Sequence, residues 1–348
     1  MVQVMAQAVI SRDELAARLA RIPRVQLAHL PTPLEACPRF SARVGGVQVY
    51  IKRDDLTGLA LGGNKTRQLE FLFAEILTGG FDTIVAGAYT QSNWCRQISA
   101  AAAKFGLKAR LVLMHGVKGP AVQGNLLLDR LLGAEVKVVD LDEMQRLAPL
   151  LEEEARALSA QGRRPYVLDP FAPEMLSLSA LGYVNAALEL DRQLADAEVS
   201  ADHVYIAGAN MTPAGLLVGL RALGSRARLV SLSPIRWKED RATDIARIAN
   251  AAAERLSLDC HFVAGDIVSE ENYIGERYGL LTPAAREAIH LLGETEGILL
   301  DPVYSGKAMA GLIDHVRQGR IGRDETVVFV HTGGQPALFA YAQELLAA

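Results

Sequence analysis

The chain has 348 residues, half of them hydrophobic and 22% charged, and a formal net charge of −4. Such a chain buries a sizeable core as one large or two intimate domains, which excludes disorder as its main state. Long single-sign charge runs, an apolar stretch near 18 residues and a basic leader with a small-residue cleavage site are all missing, so the sequence reads as neither a nucleic-acid binder, a membrane span nor a secretory signal.

Residues 1–24 read as a loose start followed by a short helix. A strand is expected at Val47–Lys52, then a helix at Lys65–Leu77, a strand at Thr83–Ala86 and a helix at Cys95–Phe105. Strand Ala109–Met114, helix Gly124–Leu132, strand Glu135–Val139, helix Leu141–Ala160 and strand Tyr166–Leu168 follow. After a proline-bearing loop at Asp169–Ser177 come helix Ser179–Asp196, strand Val204–Ala207, helix Ala214–Leu223, strand Arg228–Ser233 and helix Asp240–Leu256. Helices Pro283–Glu296 and Lys307–Gln318 and strand Thr326–His331 close the series. Gly79-Gly80, Gly106 and Gly133 each end a helical pattern and suit C-caps. Alternation of this kind predicts an α/β fold with two open, twisted, mostly parallel sheets flanked by helices. The strands from Thr83 to Val139 form one series and those from Val204 to His331 another, with Val47–Lys52 joining the second.

Open parallel sheets bind ligands where strand ends meet helix N-termini. Gly62-Gly63-Asn64-Lys65 places a lysine at a helix start, where the macrodipole and desolvation favour the neutral amine that a Schiff base needs. The plainer reading is a glycine turn before an exposed lysine. The loop 207–215 opens a helix with free N–H groups that could cradle a phosphate, although it is neither a dinucleotide fingerprint nor a Walker loop. Gln91-Ser92-Asn93 suits a carboxylate and equally suits an N-cap. Tyr304, in Asp301-Pro302-Val303-Tyr304-Ser305-Gly306-Lys307, is either a core aromatic or a proton-transfer group. The seven histidines lack metal-ligand spacing, and no metal site is expected. His290 and His315 read as surface or edge residues, and His331 as undecided. Three scattered cysteines, Cys37, Cys95 and Cys260, fit a reducing, cytoplasmic setting.

Taken together, seven segments carry a resemblance. They are LPTPLE (Leu30–Glu35), IKRDDLTGLALGGNKTRQLEFL (Ile51–Leu72), TQSNWCRQISAAAAKFGL (Thr90–Leu107), RPYVL (Arg164–Leu168), ALGYVNAALEL (Ala180–Leu190), EGILLDPVYSGKAMAGLID (Glu296–Asp314) and HTGGQPALFAY (His331–Tyr341). The chain resembles the D-cysteine desulfhydrase and 1-aminocyclopropane-1-carboxylate deaminase group of fold-type II pyridoxal-phosphate enzymes. That resemblance implies a small domain, residues 69–168, inserted in a large pyridoxal-phosphate domain of residues 1–68 and 169–348. It implies that Lys65 carries the cofactor, that Gly208, Ala209, Met211 and Thr212 wrap its phosphate, and that Asn93 touches the ring hydroxyl. Ser305 and Thr332 would face the pyridine nitrogen. Ser92, Asn93 and the Trp94 N–H would meet the substrate, with its carboxylate on Ser92 and Trp94, and Tyr304 would be an acid–base partner near Cα. A serine after the DPVY tyrosine resembles the desulfhydrase branch, and cyclopropane opening is disfavoured.

The implied activity is elimination from a small β-substituted amino acid to pyruvate, ammonia and the leaving group, in a cytoplasmic homodimer. Cysteate sulfo-lyase is the next reading, followed by a deaminase or a β-replacement synthase, and a pseudoenzyme is the rival from another class. The chain departs from the family pattern at Gln68, where a lysine is usual, at Trp94, where desulfhydrases have histidine, at the bulkier Gly208–Thr212 loop and at Asp169–Glu174.

Overall fold

The computed structural model describes residues 9–237 and 239–347. The loose start expected at residues 1–8 lies outside the described residues. The strands are β1 (Leu34–Ala36), β2 (Gln48–Lys52), β3 (Thr83–Tyr89), β4 (Lys108–Met114), β5 (Glu135–Val139), β6 (Pro165–Leu168), β7 (His203–Ala207), β8 (Arg228–Leu232), β9 (Val268–Glu270) and β10 (Thr326–Val330). The helices are α1 (Arg12–Ala20), α2 (Pro38–Arg43), α3 (Lys65–Thr78), α4 (Asn93–Lys104), α5 (Gly124–Leu131), α6 (Leu147–Ala160), α7 (Pro173–Asp196), α8 (Met211–Ala222), α9 (Arg241–Arg255), α10 (Pro283–Glu296), α11 (Ser305–Arg317) and α12 (Ala342–Leu346).

One sheet has the order β1-β2-β10-β7-β8-β9 and the other β5-β4-β3-β6. Every pairing is parallel except the antiparallel edge pair β1–β2. The strand at Gln48–Lys52 pairs with β10, Val328 lying opposite Tyr50. The central strands β7 and β10 are buried at every position, as a sheet covered by helices on both faces requires. Among the expected elements, two differ most in where they begin. The loop read at Asp169–Ser177 is helical from Pro173, because proline at the first helical position has its φ preset and no N–H to lose. The helix expected from Leu141 begins at Leu147 behind a short 3₁₀ turn.

The long helix α7 fixes the elements that build the site. A Cβ on Gly182 would lie 2.5 Å from the Arg67 carbonyl oxygen of α3. One on Gly215 of α8 would lie 1.9 Å from the Ala180 carbonyl oxygen. Only glycine permits these approaches, so the N-termini of α3 and α8 are held against the same spine. A buried polar cluster adds to this. Arg67 Nε and NH2 grip Asp54 at 2.9 and 2.8 Å, and its NH1 reaches Glu189 at 3.1 Å. Lys52 pairs with Glu189, and Tyr183 donates to Asp54 at 2.7 Å. Two cations face two carboxylates, so the cluster carries no net buried charge. No helix among the described residues is long and apolar enough to cross a membrane.

Candidate active site

The C-terminal ends of β3, β7 and β10 open onto one cavity. Its lining includes Lys65, Ser92, Asn93, Trp94, Gly208, Ala209, Met211, Thr212, Tyr304 and Thr332. Of the residues to which the resemblance gives a role, Ser305 alone is not on that wall, and Gln91 of the polar Gln91-Ser92-Asn93 run is not on it either.

Lys65 is the first residue of α3, behind an Asn64 that makes no side-chain cap bond. Its amine has no hydrogen bond or ion pair among the described residues and lies 6.0 Å from the Trp94 ring centroid. Burial pushes its pKa down to about 8. A large share of such amines is neutral near physiological pH, as a carbonyl-capturing lysine requires.

Asn93 begins α4, and the orientation of its amide follows from the network behind it. Asn125 Nδ2 donates to Asn93 Oδ1 at 2.9 Å and to the Gln91 carbonyl at 2.9 Å. Gln91 Oε1 in turn accepts the Asn125 N–H at 3.0 Å. With its oxygen taken, Asn93 keeps its NH2 as a donor for a ligand. Ser92 caps α4 by accepting from Cys95 N at 3.1 Å, which leaves its own proton to donate. The cap and the binding reading therefore hold together.

At α8, Gly208 N–H already donates to Leu232 O at 3.1 Å, and Met211 N–H to Asn210 Oδ1 at 2.8 Å. These two of the four N–H groups expected to wrap a phosphate are engaged elsewhere in this structure. Ala209, Asn210 and Thr212 keep theirs unpaired among the described residues. The Thr212 hydroxyl accepts from Asn64 Nδ2 at 3.1 Å and from Gln68 Nε2 at 2.8 Å. Both its lone pairs are used, so its proton points onward as a donor. Gln68 thus acts behind Thr212, with its own Oε1 buried and unpaired.

Tyr304 caps α11 and is held by a carboxylate not assigned a role from sequence. Buried Asp301 accepts from the N–H groups of Val303, Tyr304 and Ser305 at 2.9, 2.9 and 2.6 Å. Ser305 Oγ donates to Asp301 Oδ1 at 2.7 Å and accepts from Asp301 N at 2.8 Å. Its single proton is spent inside the turn. The Tyr304 hydroxyl meets that of Tyr278 at 2.5 Å, and the Tyr278 ring stacks on Tyr89 with centroids 5.1 Å apart. Burial raises the pKa of both phenols above the usual tyrosine range, so Tyr304 starts as a protonated donor. Tyr278 lies in the loop before α10, where no sequence motif pointed to it.

His331 is structural: its Nε2 lies 2.9 Å from Leu299 O, and its Nδ1 accepts from Gly333 N at 3.2 Å. His290 is exposed, with Nε2 3.0 Å from Leu345 O. His315 is buried rather than at the surface, 2.7 Å from the Tyr205 hydroxyl and paired with Glu270. No group of three or more metal-ligating side chains occurs among the described residues.

Residues 25–333 match the pyridoxal-phosphate dependent enzyme family, and the chain belongs to it. It is 41% identical to a D-cysteine desulfhydrase of Klebsiella pneumoniae over 331 residues, 94% of this chain and 98% of that protein. Among solved structures it resembles a 1-aminocyclopropane-1-carboxylate (ACC) deaminase homologue, with TM-score 0.87, 38% identity and coverage of 96% and 98% of the two chains. It shares its fold with diaminopropionate ammonia lyase of Escherichia coli at TM-score 0.69 and 18% identity, covering 97% and 92% of the two chains.

Proposed function

We propose that this pyridoxal-phosphate dependent enzyme eliminates the β-substituent of a small amino acid, with D-cysteine as its substrate. The observation that carries the reading is Lys65, an unpaired amine with a pKa near 8 on the same wall as Tyr304, Asn93 and the open end of α8. The residues fit the cofactor. Lys65 offers an amine to its aldehyde, Asn93 an NH2 to its ring hydroxyl, and Ala209 and Thr212 N–H groups to its phosphate. Thr332 stands for the ring nitrogen, and Ser92 and the Trp94 N–H for the substrate carboxylate. When bound, the cofactor supplies an electron sink that acidifies the substrate Cα–H.

The chain's own groups divide the proton work. The neutral Lys65 amine takes the Cα proton, because a phenol with a raised pKa is a poor base near neutral pH. The Cα–H electron pair becomes the Cα–Cβ bond, and the Cβ–S pair departs on sulfur, which Tyr304 protonates. With Tyr278 as the donor of their shared hydrogen bond, the Tyr304 proton is left facing the site. With one water consumed, D-cysteine gives pyruvate, ammonia and hydrogen sulfide. The same reading takes the chain as a cytoplasmic homodimer, which light scattering and cell fractionation measure.

A screen for pyruvate release over D- and L-cysteine, D- and L-cysteate, β-chloroalanine, serine and aminocyclopropane carboxylate tests the activity. Pyruvate from D-cysteine with sulfide in equal amount is expected. Sulfide-free turnover of the cyclopropane alone overturns it.

A further inference from the structure

Four consecutive residues just ahead of Asn64 and Lys65 have positive φ: Ala60 at 43°, Leu61 at 68°, Gly62 at 68° and Gly63 at 123°. The Gly62 N–H closes a turn onto Leu59 O at 3.0 Å, so Ala60 and Leu61 are its two central residues. A turn with positive φ at both central positions is the mirror-image type that asparagine and glycine normally fill, because a larger side chain is costly there. Leu61 gains little packing in return, since it is 60% exposed. Strain of this kind persists only where the surroundings over-determine it. Here the surroundings centre on Arg96, which is fully buried on α4 three residues after Asn93. Its NH1 donates to Ala60 O and its NH2 to Gly62 O at 3.0 Å, one prong on each side of Leu61. These are its only hydrogen bonds among the described residues, and its Nε has no partner. Burial lowers its pKa to about 10, against the field of Asp129 on α5, and leaves it a cation at neutral pH. Gln97 adds a bond to the same Gly62 O at 2.7 Å, and Asn64 N–H then ties the start of α3 to Thr332 O at 3.0 Å.

Resting on Lys65 as the cofactor lysine of the elimination reading, we infer that Arg96 is a positioning residue for it: the guanidinium fork holds the strained turn 59–62 and thereby sets where Lys65 enters the cavity wall. The start of the same helix puts Ser92, Asn93 and Trp94 on that wall. One element therefore places the donors of the site and, through Arg96, the amine beside them. A lysine in place of Arg96 keeps the charge but has no planar fork to span two carbonyls. With the fork lost, Ala60 and Leu61 relax toward negative φ, the start of α3 moves and Lys65 gains water. Burial is what holds its amine near 8, so the pH dependence of that amine reports the position of the turn.

The test follows cofactor capture by the apoenzyme against pH, together with borohydride tagging of the holoenzyme. Arg96→Lys and Arg96→Met should both move the midpoint of capture up by about one pH unit. A rise of that size cuts the neutral share of Lys65 at pH 7.5, and the capture rate with it, about eightfold. Leu61→Gly removes the strained side chain and should restore most of the lost rate to Arg96→Lys. Leu61→Val leaves Arg96 in place at an exposed position, worsens the fit of a side chain to positive φ and should slow capture about threefold. A wild-type profile in Arg96→Lys with a loss only in Arg96→Met means that the charge acts and not the fork. Lower melting points with unchanged profiles mean that the arginine only supports the fold. A failed rescue by Leu61→Gly, or capture unchanged in Leu61→Val, means that the turn holds no strain for it to restrain. Each of these overturns the inference while leaving the elimination reading intact. Borohydride should tag Lys65 in the wild-type holoenzyme, and a tag on another lysine overturns that reading and this inference with it.

Discussion

The Tyr304 hydroxyl lies 2.5 Å from the Tyr278 hydroxyl, joining the turn before α11 to the loop before α10 across the cavity wall. Burial raises both phenols above the usual tyrosine range, so both keep their protons and one hydroxyl donates to the other. Tyr304→Phe removes the proton donor itself. Its kcat should fall by roughly 10²–10⁴-fold while cofactor absorbance stays, because Lys65 and the α8 cradle are untouched. Tyr278→Phe removes only the group that orients that donor and should cost about tenfold. Pyruvate release and the visible spectrum of each variant decide this, and equal losses would reverse the two assignments.

The depressed pKa of Lys65 predicts how apoenzyme captures its cofactor. At pH 7.5 a lysine of pKa about 8 is about one-quarter neutral, against about one part in a thousand for an unperturbed lysine. The capture rate should climb about tenfold per pH unit below 8 and level off above it. The apoenzyme should also gain stability between pH 8 and 10.5, where the unfolded chain still holds the proton that folded Lys65 has lost. Stopped-flow absorbance and denaturant melts across this range measure both effects. Lys65→Ala should abolish the capture phase. Lys307, also pushed down to about 8 but donating to the Ile274 carbonyl at 2.7 Å, should not replace it.

Much of this arrangement was legible in the residues because strand ends and helix starts carry compositional marks. Pro283–Glu296 has a threonine cap, an N-terminal proline and a closing glycine, and the helix has the limits that these residues predict. The edge strands at Leu34–Ala36 and Val268–Glu270 are three residues long, too short to show alternation. The stretch 169–177 reads as a proline-bearing loop, yet Pro173 opens α7, the longest helix among the described residues. In the site, the glycine turn before Lys65 and the polar Ser92-Asn93 pair stood out. Asn125 and Tyr278 did not, since each acts through one hydrogen bond to a residue 32 and 26 positions away. The spending of the Gly208 and Met211 N–H groups is a property of the folded loop that no residue pattern encodes.

Asn125 gives a test of donor orientation. Asn125→Ala removes the group that holds Asn93 Oδ1 and frees the Asn93 amide to turn its oxygen toward the ring hydroxyl. One lost hydrogen bond of this kind is worth about 1 kcal/mol, so the cofactor Kd should rise about fivefold with little change in kcat of the saturated enzyme. Cofactor titration of the apoenzyme measures it. An unchanged Kd would mean that Asn93 is held by its own helix rather than by Asn125.

The buried cluster around Arg67 should govern stability, and through it the placement of Lys65 two residues earlier. Burial alone would raise Asp54, but the Arg67 guanidinium, in a two-pronged contact, holds it below its ordinary value of 3.8. Asp54→Asn is nearly isosteric and leaves Arg67 and Lys52 facing only Glu189. Breaking a buried pair from one side costs about 3–5 kcal/mol, so urea melts at pH 7 should show a loss of that order. Asp54 binds its proton less readily folded than unfolded, so its contribution is complete above about pH 4 and disappears as pH falls through the lowered value. The gap between wild type and Asp54→Asn should therefore narrow below pH 4. Cofactor capture by Asp54→Asn at neutral pH should slow as well, since the start of α3 loses its tie to β2 and α7. A constant gap from pH 7 to pH 3 would show that Asp54 contributes packing rather than charge.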